Sequence, residues 1–127
     1  MNVEALRAVV SKMLFLHSYD DDEMETCCRE AKDILSNNVS DAILFFQTEC
    51  TDEEFFWLSS VFEDVSALVQ SKQFIQVLRA RLALVTRESY DQESFKSEHM
   101  RQWVDYDEYV RSISMDIDYA EDALNNK

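Results

Sequence analysis

The stretch TDEEFFWLSSVFEDVSALVQSKQFIQVLRARLALV, residues 51–85, decides the fold. It opens on Thr51-Asp52-Glu53-Glu54, a capping-box pattern in which the Thr hydroxyl and the Glu carboxylate satisfy each other's unpaired backbone amides. From there Phe55, Leu58, Val61, Phe62, Val65, Leu68 and Val69 recur at three- and four-residue steps, the spacing that lines one face of a helix. Ser71 can cap a further helix carrying Phe74, Ile75, Leu78, Leu82 and Val85. Helices over 52–70 and 72–86 are therefore predicted, packed as a helical hairpin.

The same period extends in both directions. Val3, Leu6, Val10, Met13, Leu14 and His17 predict a helix over 3–17. Asp20, Asp21 and Asp22 supply capping and first-turn acids for a second helix over 22–37, which carries Met24, Cys27, Cys28, Ala31, Ile34 and Leu35. Asn37-Asn38 is the available substitute for a terminating glycine. DAILFFQTEC predicts a short helix over 40–49. Residues 86–98, TRESYDQESFKSE, read as a polar connector with at most a turn of helix. Beyond it Trp103, Tyr106, Val110, Ile113, Ile117, Ala120 and Leu124 predict a long terminal helix over 106–124, with a break near Asp105.

The chain has neither Gly nor Pro, although average usage would give about nine and about six in this length. Tight hairpins between strands need residues that tolerate positive φ, so a sheet-rich fold is disfavoured. Gly-rich phosphate loops, dinucleotide fingerprints and nucleophile elbows are excluded for the same steric reason. With 127 residues the chain can bury roughly two thirds of its unfolded surface. The expectation is all-α: five to six helices packed as antiparallel hairpins in one domain over 1–127. A shift of 34 positions aligns Met24 with Leu58, Cys28 with Phe62 and Leu35 with Val69, which leaves both a bundle and a short α-solenoid open.

Cys27, Cys28 and Cys50 are odd in number and lack metal-knuckle spacing, so they read as buried thiols in a reducing compartment. MNVEALRAVVSKMLFLHSY has no apolar stretch suited to a signal peptide, and no window approaches the ~20 apolar residues of a membrane span. A cytoplasmic location is expected. Asp20-Asp21-Asp22-Glu23 lacks the alternation and turn glycine of a calcium loop. Glu98 adjoins His99 instead of preceding it by three, which removes a di-iron motif. No catalytic, cofactor or metal site is expected, and the chain does not read as an enzyme.

Charge is the remaining signal. Of the net −14, residues 20–64 hold −12, with 14 acids against Arg29 and Lys32, and residues 102–127 add −5. Such a field repels phosphates and anionic lipid and attracts cationic proteins, so neither direct nucleic-acid binding nor membrane binding is expected. Within the C-terminal segment aromatics and acids interleave: Trp103, Asp105, Tyr106, Asp107, Glu108, Tyr109, Asp116, Asp118 and Tyr119. Rigid aromatic area beside carboxylates suits an interface with Arg or Lys on a partner. These residues are the candidate contact set, with Asp20, Asp21, Asp22, Glu23, Asp52 and Glu53 as candidate steering charges.

Around ECTDEEFFWLSSVFEDVSALVQSKQFIQVLR, residues 49–79, the chain resembles the small helical immunity proteins encoded beside bacterial polymorphic toxins, including those of contact-dependent growth inhibition systems. The shared elements are the Thr-capped acidic helix start, the Phe/Trp/Leu stripe and the QSKQFI turn. They cover about a quarter of the chain, and no interface residue is carried over from that family. The resemblance implies a protein that neutralises one toxin by stoichiometric binding, and many such toxins are basic nucleases. Two other readings fit the same composition: a helical adaptor whose binding is insensitive to salt, and an acidic mimic of DNA that competes with DNA for a host protein.

Overall fold

The computed structural model describes residues 1–16 and 21–125. The chain is all-α, with no strand among the described residues. Its helices are α1 (Val3–Leu16), α2 (Asp21–Asn37), α3 (Val39–Thr48), α4 (Asp52–Leu58), α5 (Phe62–Val69), α6 (Lys72–Ala83), α7 (Arg87–Gln92), α8 (Glu98–Trp103) and α9 (Tyr106–Asp122). His17 and Asp20 lie outside the described residues.

Local chemistry starts these helices. Thr51 Oγ1 accepts from the Glu54 amide at 3.1 Å and Glu54 Oε1 accepts from the Thr51 amide at 3.0 Å, completing the predicted capping box of α4. Ser71 caps α6 at 3.1 Å and Asp105 caps α9 at 2.8 Å. Asn38 does not take the left-handed conformation of a helix terminator. Its φ is −149°, and its side chain caps α3 by accepting from the Asp41 amide. The left-handed position is Gln70, with φ 50°. A non-glycine pays a steric penalty there, of about 1–2 kcal/mol. The side chain supplies compensation: Nε2 donates to the Ala123 carbonyl at 2.9 Å, and Oε1 accepts from the Asn125 amide at 2.8 Å.

The helix expected over 52–70 is divided by a single 3-10 turn, Ser59–Val61. Ser59 Oγ donates to the Phe56 carbonyl at 2.6 Å and Ser60 Oγ to the Trp57 carbonyl at 3.0 Å. Hydroxyls that compete for helical carbonyls in this way loosen and bend a helix. The re-aimed α5 turns Leu68 outward, 62% exposed, and brings Ser66 into the interior. Nor do α5 and α6 form the expected hairpin. They diverge from the Gln70-Ser71 turn and each packs on α9. Two further helices, α7 and α8, occupy the region around the polar connector.

The interior is a ring cluster on Phe46 of α3, whose centroid lies 5.6 Å from Phe62, 5.9 Å from Phe55 and 6.2 Å from Phe74, all in edge-on geometry. Each such pair adds about 0.5–1.5 kcal/mol beyond burial. Phe55, Leu58, Phe62, Val65, Phe74, Leu78, Ile113 and Ile117 are buried as expected. Val110 is only half-buried, and Tyr109 fills the core position beside it. Because α9 packs on both α5 and α6 while α3 packs on α6 and α2 on α5, the arrangement is a closed bundle and not an open superhelix.

Candidate interaction surface

The break before α9 resets the helical register. Val104 is extended, with φ −119° and ψ 102°, and Asp105 follows with φ −86° and ψ 178°. Trp103, at the end of α8, thereby leaves the apolar stripe and stands 72% exposed. It borders a hollow of about 410 Å³ between α7 and α8. The buried floor is Tyr90, Phe95, Met100 and Val104, and the rim carries the carboxylates of Asp91, Glu93 and Asp105. Arg101 also lines the hollow, but its Nη1 is bonded to the Phe95 and Lys96 carbonyls at 2.9 and 3.2 Å. Tyr90 donates its hydroxyl to the Val104 carbonyl at 2.5 Å. Burial, and to a smaller extent the Asp105 and Asp91 carboxylates, push its phenol up to about 12.

The other candidate residues divide by their partners. Asp107 pairs with Arg87 at 2.8 Å, and the Arg87 guanidinium covers the Tyr106 ring at 4.9 Å. Tyr106 donates to the Val85 carbonyl at 3.2 Å. Glu108 pairs with Arg111, and Asp118 shares Arg79 with Glu121 at 3.0 and 3.1 Å. Exposed pairs of this kind contribute about 0–1 kcal/mol, so a partner's Arg or Lys can exchange into them. Asp116 is half-buried beside Ser59, and burial raises its carboxyl above the ordinary value.

Tyr109 is not on this surface. Its ring is fully buried and its hydroxyl donates to the Asp52 carbonyl at 2.7 Å, because the register shift rotates it into the core. Tyr119 is half-exposed, but it lies 14 residues beyond Asp105, about 20 Å along the helix at 1.5 Å per residue. The aromatic and acidic segment is thus two separate groups, one around Trp103 and Asp105 and one around Asp118 and Tyr119.

The steering set also changes. Asp21, Asp22 and Glu23 are exposed at the start of α2. Asp52 is largely buried and held by Arg81 at 2.6 Å. Glu53 is only 7% exposed; its carboxylate accepts from the Ser97 amide at 2.9 Å and the Lys96 amide at 3.3 Å. Both acids fasten the fold, Glu53 by holding the connector against α4. That connection also brings Asp91 and Glu93 beside Trp103, two residues not among the sequence-based candidates. Ser97 and Thr86, each a helix cap, were the local signals of order in the connector.

Burial pushes the Cys50 thiol up and disfavours its thiolate. Among the described residues no group of three or more His, Cys, Asp or Glu could hold a metal ion, and no helix is long and apolar enough to cross a membrane. Compared with known proteins, the chain matches no family model, and no curated protein or solved structure is significantly similar to it.

Proposed function

We propose that this chain is an immunity protein that binds and neutralises a cognate basic toxin domain, of nuclease type, in the cytoplasm of the cell that makes both. The observation that carries the reading is Trp103, 72% exposed beside the hollow rimmed by Asp91, Glu93 and Asp105. A tryptophan face and carboxylates together suit an Arg or Lys side chain, through cation–π attraction and charge-assisted hydrogen bonds. Such residues are also the ones with which a nuclease holds phosphates, so occupying them competes with its substrate. The net charge of −14 adds long-range attraction for the same partner and none for nucleic acid or anionic lipid. Inhibition is stoichiometric and needs no cofactor.

The test is coexpression with the product of the adjacent gene, followed by copurification and a nuclease assay. A stable complex that suppresses cleavage, weakened in Trp103→Ala, supports the reading. A basic neighbour that forms no complex overturns it. Competition with DNA for a host protein in place of a toxin would support the DNA-mimic reading.

A further inference from the structure

Inside this chain one arrangement recurs, in which an arginine lies over an aromatic ring and bonds a carboxylate at the same time. Arg7 stands 5.8 Å from the centre of the Phe45 ring and pairs with Glu54 at 2.9 Å. Arg81 stands 5.4 Å from the Phe55 ring and pairs with Asp52 at 2.6 Å. Arg87 stands 4.9 Å from the Tyr106 ring and pairs with Asp107 at 2.8 Å. A guanidinium can do both because it is planar and carries its donors along its edge, which leaves its face for the ring. At the Trp103 hollow the ring and the carboxylates are present without the cation. Trp103 is largely exposed, and Asp91, Glu93 and Asp105 come from α7, the segment after it and the cap of α9. No cation of the described residues forms an ion pair with any of the three. Arg101 also lines the hollow, but its Nη1 is occupied by the Phe95 and Lys96 carbonyls.

We infer that the hollow is the seat of one arginine side chain of the protein partner, its guanidinium against Trp103 and its N–H groups on the rim carboxylates. The inference rests on the proposed basic partner and names the side chain that anchors it. Lysine suits the place less well. Its ammonium is compact and strongly hydrated, and it would shed that water over a floor of Tyr90, Phe95, Met100 and Val104. It has no plane to stack on Trp103. Its three donors radiate from one atom, whereas the five N–H groups of a guanidinium spread over a fork that can reach carboxylates on separate stretches of backbone. Burial, and then Asp52 and Glu53, raise the Glu93 carboxyl, so an arriving cation relieves a disfavoured charge. The floor is held before any partner arrives, by the Tyr90 hydroxyl on the Val104 carbonyl and by Glu53 on the Lys96 and Ser97 amides, which lowers the ordering cost of binding.

The test uses the full chain alone, isotope-labelled and observed by NMR at low ionic strength. It is titrated with N-acetyl-arginine methylamide and, separately, with the corresponding lysine compound. The Trp103 indole N–H reports the hollow, and that of Trp57, the other tryptophan, is the control. The expected result is a saturable shift at Trp103, at least tenfold tighter for the arginine compound, with Trp57 unmoved. Asp91→Asn combined with Glu93→Gln, both exposed, should weaken arginine binding at least tenfold with unchanged circular dichroism. Asp21→Asn combined with Glu23→Gln removes the same charge from α2 and should leave that binding within twofold. No saturable shift with the arginine compound, equal binding of the lysine compound, or equal weakening by both pairs overturns the inference. Such a failure beside an intact toxin complex removes the arginine assignment alone, whereas arginine binding with no toxin complex removes the toxin reading alone.

Discussion

Ser66 and Ala120, 54 residues apart, are joined by a 2.6 Å hydrogen bond from the Ser66 hydroxyl to the Ala120 carbonyl, wholly buried in the seam between α5 and α9. The Gln70 side chain extends the same seam to Ala123 and Asn125. Together they fasten the C-terminal end of α9 against α5.

Ser66→Ala should cost about 1 kcal/mol, the net value of a typical hydrogen bond, because Ala120 keeps other contacts along its helix. Ser66→Leu, which would restore an apolar stripe, should destabilise by about 1–3 kcal/mol through overpacking of a site with no free space. Urea denaturation of the three proteins gives the comparison. Equal stability of wild type and the Leu variant would place Ser66 outside the seam.

Glu53→Gln should destabilise by about 1–3 kcal/mol, since an amide cannot accept from both backbone donors that the carboxylate now holds. Asp21→Asn, on the exposed start of α2, should change stability by less than about 0.5 kcal/mol. Hydrogen exchange at the Ser97 amide reports the difference directly. Unchanged protection in Glu53→Gln would show that the connector is held by other contacts.

These residues mark what the sequence could and could not reveal. Capping at Thr51, Ser71 and Asp105 is chemistry among residues three apart, and the helices it starts were legible from spacing alone. The choice between Leu68 and Ser66 for the interior was not, because it follows from a bend made by Ser59 and Ser60 and from a carbonyl on a helix far along the chain. Asp52 and Glu53 look like first-turn acids in the sequence. Their roles depend on Arg81 and on the Lys96 and Ser97 amides, 29 to 44 residues away. The Trp103 hollow likewise needs Asp91 and Glu93 from a segment whose period is weak.

Asp116 gives a pH dependence of defined sign. Burial raises its folded-state carboxyl above the ordinary value, so the penalty is present above the folded pKa and absent below the unfolded one, about 3.9. Asp116→Asn should therefore raise the melting temperature at pH 7, and the gain should disappear below about pH 4. A gain that persists at pH 3 would trace to some cause other than ionisation.

The central claim is that a basic partner docks at the Trp103 corner while the acids on α2 act at a distance. Because Asp105 caps α9, Asp105→Asn is the apt change: it removes the charge and keeps a good cap. Association and dissociation rates with the toxin domain should be measured for wild type, for Trp103→Ala with Asp105→Asn, and for Asp21→Asn with Glu23→Gln, at low and high salt. The account predicts dissociation at least tenfold faster in the first pair, about 1.4 kcal/mol or more, with little change in association. It predicts slower association in the second pair, and only at low salt. Equal effects from both pairs, confined to association, would contradict it.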